Sequence, residues 1–97
     1  VILMNNQALG LVHQQQSLFY KQNVFEATYP GMVSFIKIAE GFGMSSCDLN
    51  EAQDPQAALR EAMARPGPCL IHVRIDAQEK VYPMVPPGAA NTEMVGE

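Results

Sequence analysis

The sequence predicts an α/β fold, part of a doubly wound, mostly parallel sheet flanked by helices. Three observations predict it. Short apolar or β-branched runs stand at residues 1–4 and 69–75, with a short strand candidate at 45–49. Between them lie stretches whose apolar residues recur at helical spacing. The resulting order β-α-α-β-α-β, with helices as crossovers, belongs to parallel sheets. Three strands make only half of such a sheet.

Val1-Ile2-Leu3-Met4 ends abruptly at Asn5-Asn6, which reads as a buried strand. A start in mid-strand without an initiator Met leads to the expectation that the N-terminus is a truncation. The charge-free stretch 7–20 follows, with Leu9, Val12, Gln16 (by its stem) and Phe19 near helical spacing, and Leu11 and Leu18 on an adjoining stripe. This predicts a helix opening soon after the strand, weakened near its first turn by Gly10. A connection at 21–31 closes on Pro30-Gly31. Met32, Phe35, Ile36, Ala39 and Phe42 then form one apolar stripe with Lys37 and Glu40 opposite, an amphipathic helix stopped by Gly43.

Residues 45–49 form a short strand candidate. Asp54-Pro55 starts the next helix, Asp as N-cap and Pro in the first turn, with Ala58, Leu59, Ala62 and Met63 as its inner face. Arg65-Pro66-Gly67-Pro68 ends it. In the last strand, 69–75, Ile71, Val73 and Ile75 share one face and His72 and Arg74 the other. The remainder is too rich in proline for a central strand. The expected division is 1–76 as one part of a sheet domain and 77–97 as an irregular C-terminal arm, open to fraying at its end.

Composition narrows the partners. With 47% hydrophobic and 16% charged residues among 97, the chain is expected to be globular rather than disordered. Its net charge of −4 and the lack of any Lys/Arg cluster argue against nucleic acid. No apolar run reaches the length of a membrane span, which argues against a membrane partner. Cys47 and Cys69 lack zinc spacing, so reduced thiols in a cytoplasmic protein are the simplest reading.

Ligands of open parallel sheets bind beyond the carboxyl ends of the strands. Asn5-Asn6 stands there, before a helix N-terminus. Amide oxygens suit a hard cation, and a helix start suits an anion, the combination that magnesium diphosphate needs. The plainer reading is a turn with a helix N-cap. His13 reads as a surface or half-buried histidine, His72 with Arg74 as facing a covering helix or another subunit. Both cysteines, and Met32, Met44 and Met63, read as core filling.

The stretch from Ile2 to Tyr20, with Asn5-Asn6 and Gln14-Gln-Gln-Ser-Leu-Phe-Tyr20, resembles the end of the thiamine-diphosphate motif of acetolactate synthases (acetohydroxyacid synthases). The likeness continues through Phe35-Ile-Lys-Ile-Ala-Glu-Gly-Phe-Gly43, Gly67-Pro-Cys-Leu-Ile-His-Val73 and Val81-Tyr-Pro-Met-Val-Pro-Pro-Gly88, and is nearest to the bacterial isozyme I branch. The resemblance implies the C-terminal half of a thiamine-diphosphate-binding fold. It implies that Asn6, through its side-chain oxygen, and Ala8, through its backbone carbonyl, ligate Mg2+. Leu9, Gly10 and Leu11 would line the diphosphate and thiazolium. Leu11 and Gln15 would shape the substrate pocket, Gln15 standing where many members carry Trp and thereby weakening the expectation of a strong preference for 2-ketobutyrate. Gln7 departs from a common acid. The arm at 81–88 would fold near the site mouth.

For the parent enzyme the resemblance implies condensation of pyruvate with a second 2-keto acid after decarboxylation, in branched-chain amino acid biosynthesis. It also implies the remaining domains of a large subunit, a homo-oligomer, a small regulatory subunit, and an FAD that this segment does not bind. The segment alone is expected to be inactive. The alternatives are another thiamine-diphosphate decarboxylase, oxidase or carboligase, and a free-standing module without catalysis.

Overall fold

The computed structural model describes residues 1–96 and contains β1 (Ile2–Asn5), α1 (Gly10–Phe19), α2 (Phe35–Gly41), β2 (Ser45–Asp48), α3 (Pro55–Ala64) and β3 (Cys69–Arg74). Two compact units divide them: residues 1–6 with 31–76, and residues 7–30 with 77–96.

The first unit is a three-stranded parallel sheet in the order β1-β3-β2. Ile2 pairs with Ile71 and Asn5 with Arg74, while Ser45 pairs with Cys69 and Asp48 with His72. This register puts Leu3, Asn5, Asp48, His72 and Arg74 on one face and Ile2, Met4, Cys47, Ile71 and Val73 on the other. α2 covers the first face, where the Phe35 and His72 rings lie 6.2 Å apart. α3 covers the second, with Cys47 Sγ 4.0 Å from the Ala58 carbonyl. Helices on both faces of a parallel sheet give the expected α/β architecture.

Local chemistry sets the helix ends. Asp54 Oδ1 accepts from the N–H groups of Gln56 and Ala57 at 3.0 Å each, and Pro55 follows it, so α3 starts where the sequence places it. α2 starts later than its apolar stripe, because extended Ser34 caps it by accepting from the Lys37 N–H at 3.3 Å. Met32 is thereby left on the connection, 86% exposed, and is not core filling. Phe42 and Met63 are exposed as well, Phe42 as the C-cap of α2 and Met63 as the penultimate residue of α3. Gly43 takes the left-handed conformation at φ 72°, as its capping position requires. The small residues Ala39 and Ala62 and the central Ile71 form the buried core of this unit.

The second unit has α1, the loop that follows it, and the arm. Here the expected helix face is reversed. His13 and Gln14 are buried, whereas Leu9, Leu11 and Val12 are open to solvent. The reason lies in two carboxamides that act as pieces of main chain. Gln14 Oε1 accepts from the Val81 N–H at 2.8 Å, and its Nε2 donates to the Val81 carbonyl at 2.8 Å. Gln16 makes the same paired contact with Phe25, at 3.0 Å in each direction. An irregular segment has no ladder to satisfy its polar groups, and these side chains supply one. Among the described residues the arm contains no helix or strand, but an antiparallel bridge between Met84 and Val95 closes it on itself.

Candidate functional site

β1 delivers its carboxyl end through Asn5, whose backbone carbonyl accepts from the Ile75 N–H at 3.0 Å. Asn6 follows, half-buried, and the chain then turns at Gln7, which holds φ 61°. A non-glycine residue in the left-handed region is strained by about 1–3 kcal/mol, and such strain concentrates at functional turns.

Beyond the turn, Ala8 bridges Thr28 antiparallel. The bonds of this bridge are Leu9 N–H to the Ala27 carbonyl at 2.8 Å and Tyr29 N–H to the Gln7 carbonyl at 3.0 Å. Because residues 7 and 9 bond toward the 27–29 segment, the carbonyl of Ala8 is directed to the opposite side. Ala8 itself is buried. α1 then opens with Leu9 as N-cap, with no side-chain cap and no acid in its first turn. Such a helix start is complementary to an anion.

Leu11 and Gln15, four positions apart, share one face of α1. Both are exposed. Gln15 lines an open hollow of about 330 Å3 with Val12, Gln16, Tyr20 and Asn23. His13 lies elsewhere, bordering a hollow of about 280 Å3 together with Ser17, Gln78 and Lys80.

At the end of the sheet, a side-chain array links three strands. Asn5 Nδ2 is 2.9 Å from His72 Nε2, and His72 Nδ1 is 2.9 Å from Asp48 Oδ2. Burial raises the Asp48 pKa, but hydrogen bonds from His72 and Asn50 outweigh it and hold the carboxyl below its ordinary value. Sequence reading did not find this array. Its one available signal was that His72 alternates onto a face where the strand ends carry Asn5 and Asp48.

As a cofactor site, the turn offers oxygen donors only. The Asn6 carboxamide and the Ala8 carbonyl suit a hard cation such as magnesium, which shares its shell with phosphate. Among the described residues no group of three or more His, Cys, Asp or Glu is disposed to hold a metal. The donors present fit magnesium diphosphate as part of a shell, with the bound phosphates and other groups completing it.

Residues 1–73 match the family described as thiamine pyrophosphate enzyme, C-terminal TPP binding domain. The chain belongs to this family. The TPP-binding match covers all three strands and all three helices and stops at Val73, one residue short of the end of β3. Among curated relatives, this chain is 75% identical over 97 residues to the acetolactate synthase isozyme 1 large subunit of Escherichia coli (strain K12), covering all of the chain and 17% of that protein. The isozyme 2 large subunit of the same organism is 39% identical over 95 residues, 98% of the chain and 17% of the relative. The acetolactate synthase large subunit of Porphyra purpurea is 35% identical over 97 residues, 99% of the chain and 16% of the relative. The chain thus spans about one sixth of the length of these relatives. Among the described residues, no helix is long and apolar enough to cross a membrane.

Proposed function

We propose that these residues form the C-terminal part of the thiamine-diphosphate-binding domain of an acetolactate synthase large subunit. That enzyme condenses pyruvate with a second 2-keto acid in branched-chain amino acid biosynthesis. The observation that carries the reading is the turn after β1, with Asn6, left-handed Gln7, the outward carbonyl of Ala8 and the uncapped start of α1 in immediate succession. Asn6 ligates Mg2+ through its side-chain oxygen and Ala8 through its backbone carbonyl. Two residues apart in the chain, they lie within roughly 7 Å of each other whatever the turn does. The first N–H groups of α1 and the backbone of Leu9 and Gly10 face the diphosphate. Leu11 packs against cofactor and substrate, and Gln15, on the same helix face, borders the pocket of the second keto acid.

When bound, the cofactor supplies the carbanion chemistry that makes decarboxylation and carbon–carbon bond formation accessible. The chain's own residues bind, orient and exclude water. FAD, the remaining domains, a second copy of the subunit and a small regulatory subunit complete the enzyme outside this segment, in the cytoplasm.

The test is Asn6→Ala in the full-length subunit. Loss of a magnesium ligand should raise the Mg2+ concentration for half-maximal activity by at least the ten- to hundredfold that even outer-shell changes produce. An unchanged magnesium requirement overturns the assignment. Acetolactate formation from pyruvate by the wild type separates this reading from a related decarboxylase or oxidase.

A further inference from the structure

The buried array at the end of the sheet has no part in the site as assigned so far. We infer that Asp48 and His72 are positioning residues: together they dictate which way the Asn5 carboxamide faces, and so anchor the cofactor turn that begins at the next residue. This inference rests on the proposed function.

The argument is one of donors and acceptors. Asp48 Oδ1 already accepts from the backbone N–H of Asn50 at 2.9 Å and from its Nδ2 at 2.7 Å. Asn50 is itself oriented, because its Oδ1 accepts from the Arg74 N–H at 3.2 Å. Asp48 Oδ2 is left for His72. An ionised carboxylate only accepts, so His72 Nδ1 carries the proton. Asn5 turns its Nδ2 toward His72 Nε2 at 2.9 Å, and an amide NH2 only donates, so Nε2 accepts and the Asn5 Oδ1 faces away. An amide whose two ends are nearly alike in shape is thereby given one orientation.

Donation converges on Asp48 from both sides, from the Arg74 N–H through Asn50 on one and from Asn5 through His72 on the other. Both ends of Asn5 are held, its main-chain carbonyl by Ile75 and its side chain by His72. Asn5 is 5% exposed and His72 7%, so water does not offer the amide an equivalent partner. The Phe35 ring lies beside His72, with ring centroids 6.2 Å apart. A ligand carbonyl or amide near a metal is only as well placed as the groups behind it. Asn5 is covalently adjacent to Asn6 and is the last residue of β1, so the direction in which the chain leaves the sheet is set there.

Two measurements test this. The first is a 15N–1H correlation spectrum of the His72 ring in the full chain. A ring that donates from Nδ1 and accepts at Nε2 is expected, and Asp48→Asn should shift population toward the Nε2–H form. A wild-type ring protonated on Nε2 overturns the inference. The second is Mg2+ and thiamine diphosphate titration of the full-length subunit. Asp48→Asn and His72→Phe should weaken Mg2+ binding by about ten- to hundredfold, the usual effect of losing an outer-shell partner. The loss should appear in the magnesium requirement rather than in turnover at saturating cofactor. His72→Gln, whose Oε1 can accept from Asn5, should restore binding where His72→Phe does not. If His72→Phe does not fold, Asp48→Asn decides, because Asp48 lies nearer the surface. Wild-type affinity in Asp48→Asn overturns the inference alone. A wild-type subunit that binds no cofactor overturns the proposed function and the inference with it.

Discussion

Replacing Gln14 with Ala should release the arm at Val81. Gln14 is 3% exposed and makes two 2.8 Å hydrogen bonds to the main chain of Val81, one in each direction. Each such bond contributes about 1 kcal/mol net. The lost methylene beyond Cβ adds about 0.8 kcal/mol of burial. The sum is about 3 kcal/mol, equivalent to roughly a hundredfold in a local opening equilibrium. Hydrogen exchange followed by mass spectrometry or NMR reads this directly: the Val81 amide should exchange about a hundredfold faster. The Val95 amide, which donates to the Met84 carbonyl at 2.8 Å within the arm itself, should change less. Gln14→Met separates the two contributions, since it keeps the buried volume but cannot accept from the Val81 N–H. It should reproduce most of the effect. Unchanged Val81 exchange in both variants would refute the claim that the carboxamide clamps the arm.

Two further outcomes follow from the site. Because the Asp48 pKa is lowered in the folded state, its contribution to stability is fully present above the unfolded value of about 3.9 and is lost as pH falls through the folded value. Acid unfolding of Asp48→Asn should therefore show a shallower loss of stability below about pH 4 than the wild type; parallel curves would remove Asp48 from the acid response. The 97-residue chain alone should be inactive and bind thiamine diphosphate weakly or not at all, since one amide oxygen and one carbonyl are too few for an octahedral cation. Calorimetric titration with Mg2+ present measures this, and micromolar binding would contradict it.

The features legible in the sequence were those in which a single residue type has one local job. Asp54-Pro55 announces a helix start, Gly43 a helix stop, and alternation in β3 separates Ile71 and Val73 from His72 and Arg74. The family was legible for another reason: Asn5-Asn6 and the later blocks are specific strings, and they match along nearly the whole chain. The buried face of α1 was misread because apolar periodicity assumes an apolar interior. There the interior is made partly by amides, and Gln14 and Gln16 answer main-chain groups that no spacing rule points to. Met32 failed for a related reason, since Ser34 takes the cap and leaves the front of the stripe outside the helix. The Asp48–His72–Asn5 array was invisible because it joins three strands whose adjacency depends on sheet order, and order is not written in any local pattern.

Sheet order also has a consequence in time. β3 is the central strand, yet it is made last, and Asn5 stands 67 positions before the His72 that orients it. At a ribosomal rate of about 5–20 residues per second, β1 spends on the order of 3 to 14 seconds without its partner. Throughout that interval Ile2 and Met4 lack their β3 neighbours, and they are more than half exposed even afterwards. Pairing of β1 thus waits for a strand that must insert between two made before it.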